Sequence, residues 1–325
     1  MKNYTVRLYQ KNDFELWNAF IDKAKNATFL FNRNFMEYHS DRFLDYSLII
    51  EDGNKWVAVL PANVVNSNAF SHQGLTYGGF VYNEKIRLSA VLEIFKASLI
   101  FLNQNNIQRL QIKLLPTFYA NYPSEELNYA LFLAKAKLIR RDTNAVIDLR
   151  SKFSILKGRM EGVTKAKKHQ LVVKENQNFE SFWNEILIPN LAENHNAKPV
   201  HSLKEIQNLH AKFSKKIRQF NVYHHDKIVA GTTIFETNNV AHAQYISGNS
   251  DKNYLGSVDF LYHHLLTEVF KNKSYFDFGI SNENNGKNLN EGLSYWKESF
   301  GANIVVQDFY EVSTANFPLL ENILV

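Results

Sequence analysis

The 325 residues carry a formal charge of +5, with 45% hydrophobic and 14% aromatic residues. That is a globular chain with real cores, long enough for one large domain or two ordinary ones, with a mild preference for anionic partners such as a nucleotide, CoA or an RNA. With no cysteine there is no disulfide framework, thiol nucleophile or cysteine metal site. No signal-peptide core opens the sequence. Its longest apolar stretch, Leu88 to Leu102, is broken by Glu93, Lys96 and Ser98, so a soluble cytoplasmic protein without a transmembrane segment is expected.

In chain order, Asp13-Phe14-Glu15-Leu16-Trp17-Asn18 predicts an amphipathic helix with Asp13 as its N-cap. Gly53 to Val59 reads as a hairpin turn feeding a strand, and Asn66-Ser67-Asn68 as a second turn before a strand that carries His72 and Gln73. A long helix over 86–105, a strand over Arg109–Leu115, a helix over Ser124–Ile139 and a strand over Ala145–Leu149 follow. The order then repeats. Asn178-Phe179-Glu180-Ser181-Phe182-Trp183-Asn184 opens a helix with Asn178 as cap. His225 to Gly231 is a hairpin turn and strand, Thr237-Asn238-Asn239 a turn, and the next strand carries His242 and Gln244. A helix over 257–271, a strand over Tyr275–Ile280, a helix over Leu289–Phe300 and a strand over Ile304–Tyr310 end the second copy. The repeat, offset by about 165–170 residues, predicts a duplicated domain, split as 1–150 and 151–325. Hairpins followed by alternating helices and strands predict an α/β (α+β) fold, with a mixed, mostly antiparallel sheet flanked by helices in each copy.

Several residue groups are candidates for chemistry. Lys165 and Lys168 share a helix face with His169 beside them, suited to a diphosphate or an RNA backbone, or simply solvated. His195 and His201 fall between two predicted helices, and histidine serves as a general base near neutral pH; Ser202 reads as the N-cap of a helix over Leu203–Phe213. No histidines stand in a metal-ligand spacing, so no metal is expected. The polar run after Ile280 holds Ser281, Asn282, Glu283, Asn284, Asn290 and Glu291 at the exit of an apolar strand. It is either a binding loop or a polar turn.

Four segments bear on family: Ser71-His72-Gln73-Gly74-Leu75-Thr76-Tyr77-Gly78-Gly79, Lys198-Pro199-Val200-His201-Ser202, the stretch from Tyr275 to Ala302, and Tyr310. With the element order, the chain resembles tandem GNAT-fold, FemAB-like acyltransferases associated with bacterial cell-surface polysaccharide. The FemAB-like branch transfers aminoacyl groups from tRNA to peptidoglycan precursors. The resemblance implies two acyl-CoA N-acyltransferase folds. It implies a donor held at a helix start after the first of two splayed strands, here Gly256 and Ser257 with Tyr245. Of the family's donor-binding motif only Gly256 is present, with Asn253 and Val258 in place of its outer residues. The loop with His72, Gln73, Thr76, Tyr77 and Gly78 would hold a sugar or nucleotide. Glu283 would orient or deprotonate an amine, with His201 as the next candidate base. Lys297 would neutralise charge on the tetrahedral intermediate, and Ser281, Asn284 and Asn290 would bind sugar hydroxyls.

The function expected is transfer of an acyl or aminoacyl group, from acyl-CoA or aminoacyl-tRNA as co-substrate, to an amine of an amino sugar or other cell-envelope precursor. No tightly bound cofactor and no DNA partner are expected. The alternative is an inactive binding module of the same fold for a nucleotide sugar or polysaccharide precursor.

Overall fold

A computed structural model of the protein describes residues 4–323. The chain gathers into two compact units. The first holds Met1–Asp142, Asn285–Lys287 and Val306–Val325; the second holds Thr143–Asn284 and Asn288–Val305. The units are therefore not two uninterrupted stretches of sequence. The strand Lys137–Asp148 starts in the first unit, and its end pairs with Tyr275–Ile280 in the second. The strand Asn303–Ser313 starts in the second, and its end pairs with Arg109–Lys113 in the first.

In the first unit, Thr5–Leu8, Leu48–Asp52, Lys55–Leu60 and Val81–Tyr82 form an antiparallel sheet in that order. Asn63–Val65 pairs with Asn68–Phe70, which runs parallel to Arg109–Lys113. The helix Leu88–Gln104 packs on this framework. Its buried residues Val91, Phe95, Leu99 and Leu102 recur every three to four positions, which is one helix face. In the second unit, Val172–Glu175, Ile217–His224, Lys227–Glu236 and Val240–Gly248 are antiparallel neighbours. Tyr275–Ile280 then joins Val240–Gly248 in parallel. Mixed pairing with flanking helices gives the α/β class expected from the element order.

Where the structure departs from the sequence reading, a contact explains it. Asp13 does not cap the first helix, Phe14–Lys23. Its carboxylate accepts from the Arg7 guanidinium at 2.7 and 2.9 Å and from the Gln10 N–H at 2.8 Å, and that ion pair lowers its pKa below the ordinary carboxylate value. The helix expected over 124–139 stops at Leu133. Lys135 takes a left-handed φ of 52° and Ala136 donates back to the Leu131 carbonyl, a C-terminal reversal that releases Lys137 into a strand. Asn178 and Ser202 do cap, accepting from the N–H groups of Ser181 and Glu205.

Candidate active site

Two constellations carry chemistry, one within each unit. In the second unit, Tyr275–Ile280 places Phe276 and Phe278 in an aromatic core with Tyr262, Trp296 and Phe300. Strand alternation turns Asp277 to the other face. A carboxylate buried to 1% exposure needs compensation, and His242, Gly279 and Lys297 contribute to it. Oδ2 lies 2.9 Å from His242 Nδ1, Oδ1 accepts from the Gly279 N–H at 2.7 Å, and the Lys297 ammonium is close enough for attraction. Gly279 has φ +71°, and a Cβ there would stand 3.2 Å from the His242 ring.

Lys297 is buried and donates to the carbonyls of Gly279 at 3.0 Å and Ile280 at 2.5 Å. Burial pushes its pKa down to about 8, against the opposing pull of Asp277. Here the sheet opens. Val240–Gly248 and Tyr275–Ile280 pair over three residues only, ending at His242 opposite Asp277. Each strand keeps its outer partner, up to Gly248 and Ile280, so the two part beyond that point. Ser281 Oγ and Asn144 Nδ2 are buried there without a hydrogen-bond partner among the described residues; Asn144 lies opposite Ile280.

In the first unit, a cavity of about 500 Å³ is lined by His72, Gln73, Lys113, Arg140, Lys287 and Phe309 among others, with no acidic residue in its described lining. The three cations set its sign. Arg140 is anchored on Asp142 at 2.9 and 2.7 Å, donates to Asn285 at 3.3 Å and lies over the Phe309 ring. Lys113 Nζ donates to the Leu75 carbonyl at 2.5 Å; burial, with the Arg140 charge, brings its pKa down to about 8. His72 is buried at φ +65° and stacks on His39 with centroids 5.0 Å apart. Burial and His39 push its pKa down to about 3, so the imidazole is neutral near pH 7.

The residues singled out in the sequence divide between these places and others. Gln73 lines the cavity and exchanges hydrogen bonds with Asn63, both at 2.8 Å. Gly78 presses on Ser71, whose carbonyl oxygen would stand 1.9 Å from a Cβ. Thr76 is exposed and its carbonyl accepts from Gln307, while Tyr77 is buried and donates to Thr28 Oγ1 at 2.9 Å.

In the second unit His201 and Tyr245 meet, with Nδ1 2.6 Å from the Tyr245 hydroxyl, both buried. The side chain of His195 lies outside the described residues. Gly256 and Ser257 form a buried junction: a Cβ on Gly256 would stand 2.0 Å from the Gly162 carbonyl oxygen, and Ser257 is fully buried. That helix start is filled by the helix Lys157–Lys168 rather than open.

The polar run after Ile280 is a two-stranded hairpin, Asn282–Glu283 against Asn288–Leu289. Asn284 donates to Asn288 at 2.8 Å. Asn290 caps the helix Glu291–Glu298 through the Leu293 N–H and donates to Glu283 at 3.0 Å. Glu283 is exposed there, whereas Lys297 is buried beneath the strand end. The residues that sequence reasoning left out as site members are Asp277, His242, Lys113 and Arg140. Asp277 had a visible signal, a carboxylate between two phenylalanines in a core strand.

No family model matches the chain, and no curated protein matches it. Solved structures do. FemX superposes with a TM-score of 0.66 over 98% of this chain and 99% of its own, at 10% identity. The chain shares the fold of FemX. L-PGS from Bacillus licheniformis superposes with a TM-score of 0.60, covering 93% of this chain and 91% of its own at 11% identity. A conserved protein of unknown function from Bacteroides thetaiotaomicron gives 0.59, covering 96% and 99% at 11% identity. Among the described residues no helix is long and apolar enough to cross a membrane.

Proposed function

We propose that the protein is an acyltransferase that moves an acyl or aminoacyl group from an activated donor to an amine on an amino sugar or another cell-envelope precursor. The observation that carries this reading is the parting of Val240–Gly248 from Tyr275–Ile280 beyond His242 and Asp277. Parted parallel strands expose backbone N–H and C=O groups to which an extended, amide-bearing donor can pair as an added strand. The acyl carbonyl then lies at the split, beside Lys297 and the buried polar atoms of Ser281 and Asn144. The cavity of the first unit, with Lys113 and Lys287 and with Arg140 held by Asp142, suits a phosphate-bearing ligand of its own.

The donor is acyl-CoA or aminoacyl-tRNA. Gly256 and Ser257 are the donor-phosphate residues under the family resemblance, but the filled helix start favours a donor held mainly by the split strands. That same observation favours a second reading, an inactive module that binds a nucleotide sugar.

The test is a thermal-shift screen with acetyl-CoA, alanyl-tRNA and UDP-glucosamine, followed by mass spectrometry of mixtures of donor and amino sugar. The reading expects stabilisation by one donor and a mass increase on the amine. Stabilisation by UDP-glucosamine alone, with no transfer from either donor, overturns the enzyme reading in favour of the module.

A further inference from the structure

The pair at the apex of the split has the geometry of a positioned base. His242 and Asp277 come from different strands, 35 residues apart, and meet only because the parallel register sets them opposite each other. Asp277 is fixed by the Gly279 N–H on its other oxygen, so it presents one oxygen to Nδ1. Gly279 carries no side chain to crowd the ring, where a Cβ would stand 3.2 Å from it. The imidazole is 12% exposed, and among the described residues its Nε2 finds no hydrogen-bond partner. A buried carboxylate on Nδ1 selects the tautomer that carries its proton there and leaves the Nε2 lone pair outward. The Lys297 ammonium lies close enough to Asp277 to attract it. Buried Ser281 Oγ and Asn144 Nδ2, unpartnered among the described residues, independently mark the strand exit as a place for a polar ligand.

We propose that His242 is the general base of the transfer and Asp277 the residue that positions it, an inference that rests on the transferase reading above. As the neutral acceptor amine attacks the donor carbonyl, its nitrogen forms the C–N bond and gives a proton to His242 Nε2. The tetrahedral intermediate then collapses with cleavage of the donor's C–S or C–O bond. The leaving sulfur or ribose oxygen takes that proton from the imidazolium, returning His242 to its starting state. Lys297 holds the carbonyls of Gly279 and Ile280, and so keeps the strand end in place while the pair works.

Two measurements test this, one of them independent of turnover. ¹⁵N NMR of the imidazoles, assigned with His242→Gln, should show neutral His242 as the Nδ1–H tautomer. A predominant Nε2–H tautomer overturns the proposal. Turnover is then followed with whichever donor and amino sugar the wild type uses. His242→Gln should lower kcat by roughly 10²–10⁴-fold with donor binding unchanged. The wild-type kcat should rise with pH through the value at which NMR sees His242 titrate, and that limb should vanish in the variant. A folded His242→Gln with wild-type kcat overturns the proposal and leaves the transferase reading standing. Asp277→Asn should lower kcat and shift the NMR tautomer population together. If Asp277→Asn does not fold, the wild-type spectrum and His242→Gln decide alone. If the wild type transfers nothing, the transferase reading fails, and with it the assignment of His242 as a base for that reaction.

Discussion

Lys113 in the first unit and Lys297 in the second are two buried lysines brought to the same pKa, about 8, for different ends. Lys297 spends its ammonium on two carbonyls at the end of one strand and is balanced by Asp277. Lys113 has one carbonyl, and its neighbour across the cavity is another cation, Arg140, which lowers it further. Burial lowers both alike. What differs is the added cation: Asp277 opposes the shift at Lys297, while at Lys113 the Arg140 charge adds to burial and outweighs the opposing Asp142. A lysine held on two carbonyls beside one carboxylate is a brace, while two cations sharing one carboxylate, Asp142, leave positive charge for a ligand.

The largest effect that would break the comparison concerns the donor site. If the Gly256 junction is packing rather than a phosphate cradle, Gly256→Ala should cost about 3 kcal/mol or more, read from urea unfolding. A left-handed residue gains a Cβ there, and that Cβ meets backbone at 2.0 Å. A well-folded Gly256→Ala of unchanged stability that lost donor binding would restore the helix start as the donor site.

Next is pH. Between about 8 and the ordinary 10.5 the unfolded chain holds protons that the folded lysines have released. Stability should therefore rise with pH across that window, by up to about 1.4 kcal/mol per unit for each lysine. Urea unfolding at about pH 7.5, 8.5 and 9.5 should give a shallower rise in Lys297→Met than in the wild type. An identical slope would show that Lys297 is not held below its ordinary value.

Smaller, and sharper as a contrast, is anion binding. Lys113→Met should weaken inorganic pyrophosphate about tenfold by calorimetry, the loss of one charge-assisted contact, while Lys297→Met leaves it unchanged. Equal losses in both variants would erase the distinction between ligand site and brace. Smallest is Glu283→Gln. An exposed carboxylate that only supports Asn290 should change stability by about 0.5 kcal/mol or less and leave kcat within about twofold. A large fall in kcat would return Glu283 to the chemistry.

Local signals determined a good part of this protein from sequence alone. Tyr275–Ile280 is a strand over the residues expected, because alternating aromatics need a core on one face. Ser202 and Asn178 cap their helices because a short polar side chain reaches an N–H three residues ahead, whatever surrounds it. The element order was enough for the α/β class. The polar run after Ile280 was legible as polar but not as a hairpin, since the turn at Asn284, Asn285 and Gly286 is set by three successive left-handed residues. Asp13 looked like a cap of the following helix, but its carboxylate is taken up by Arg7 on a neighbouring strand and by the Gln10 N–H behind it.

Only tertiary structure decided the rest. It sent residues 306–323 back to the first unit and residues 143–148 into the second, because strand pairing depends on which edges are free and not on nearness in sequence. It also set His242 against Asp277. That contact is fixed by the register of two parallel strands, and a one-residue slip would turn the pair to opposite faces.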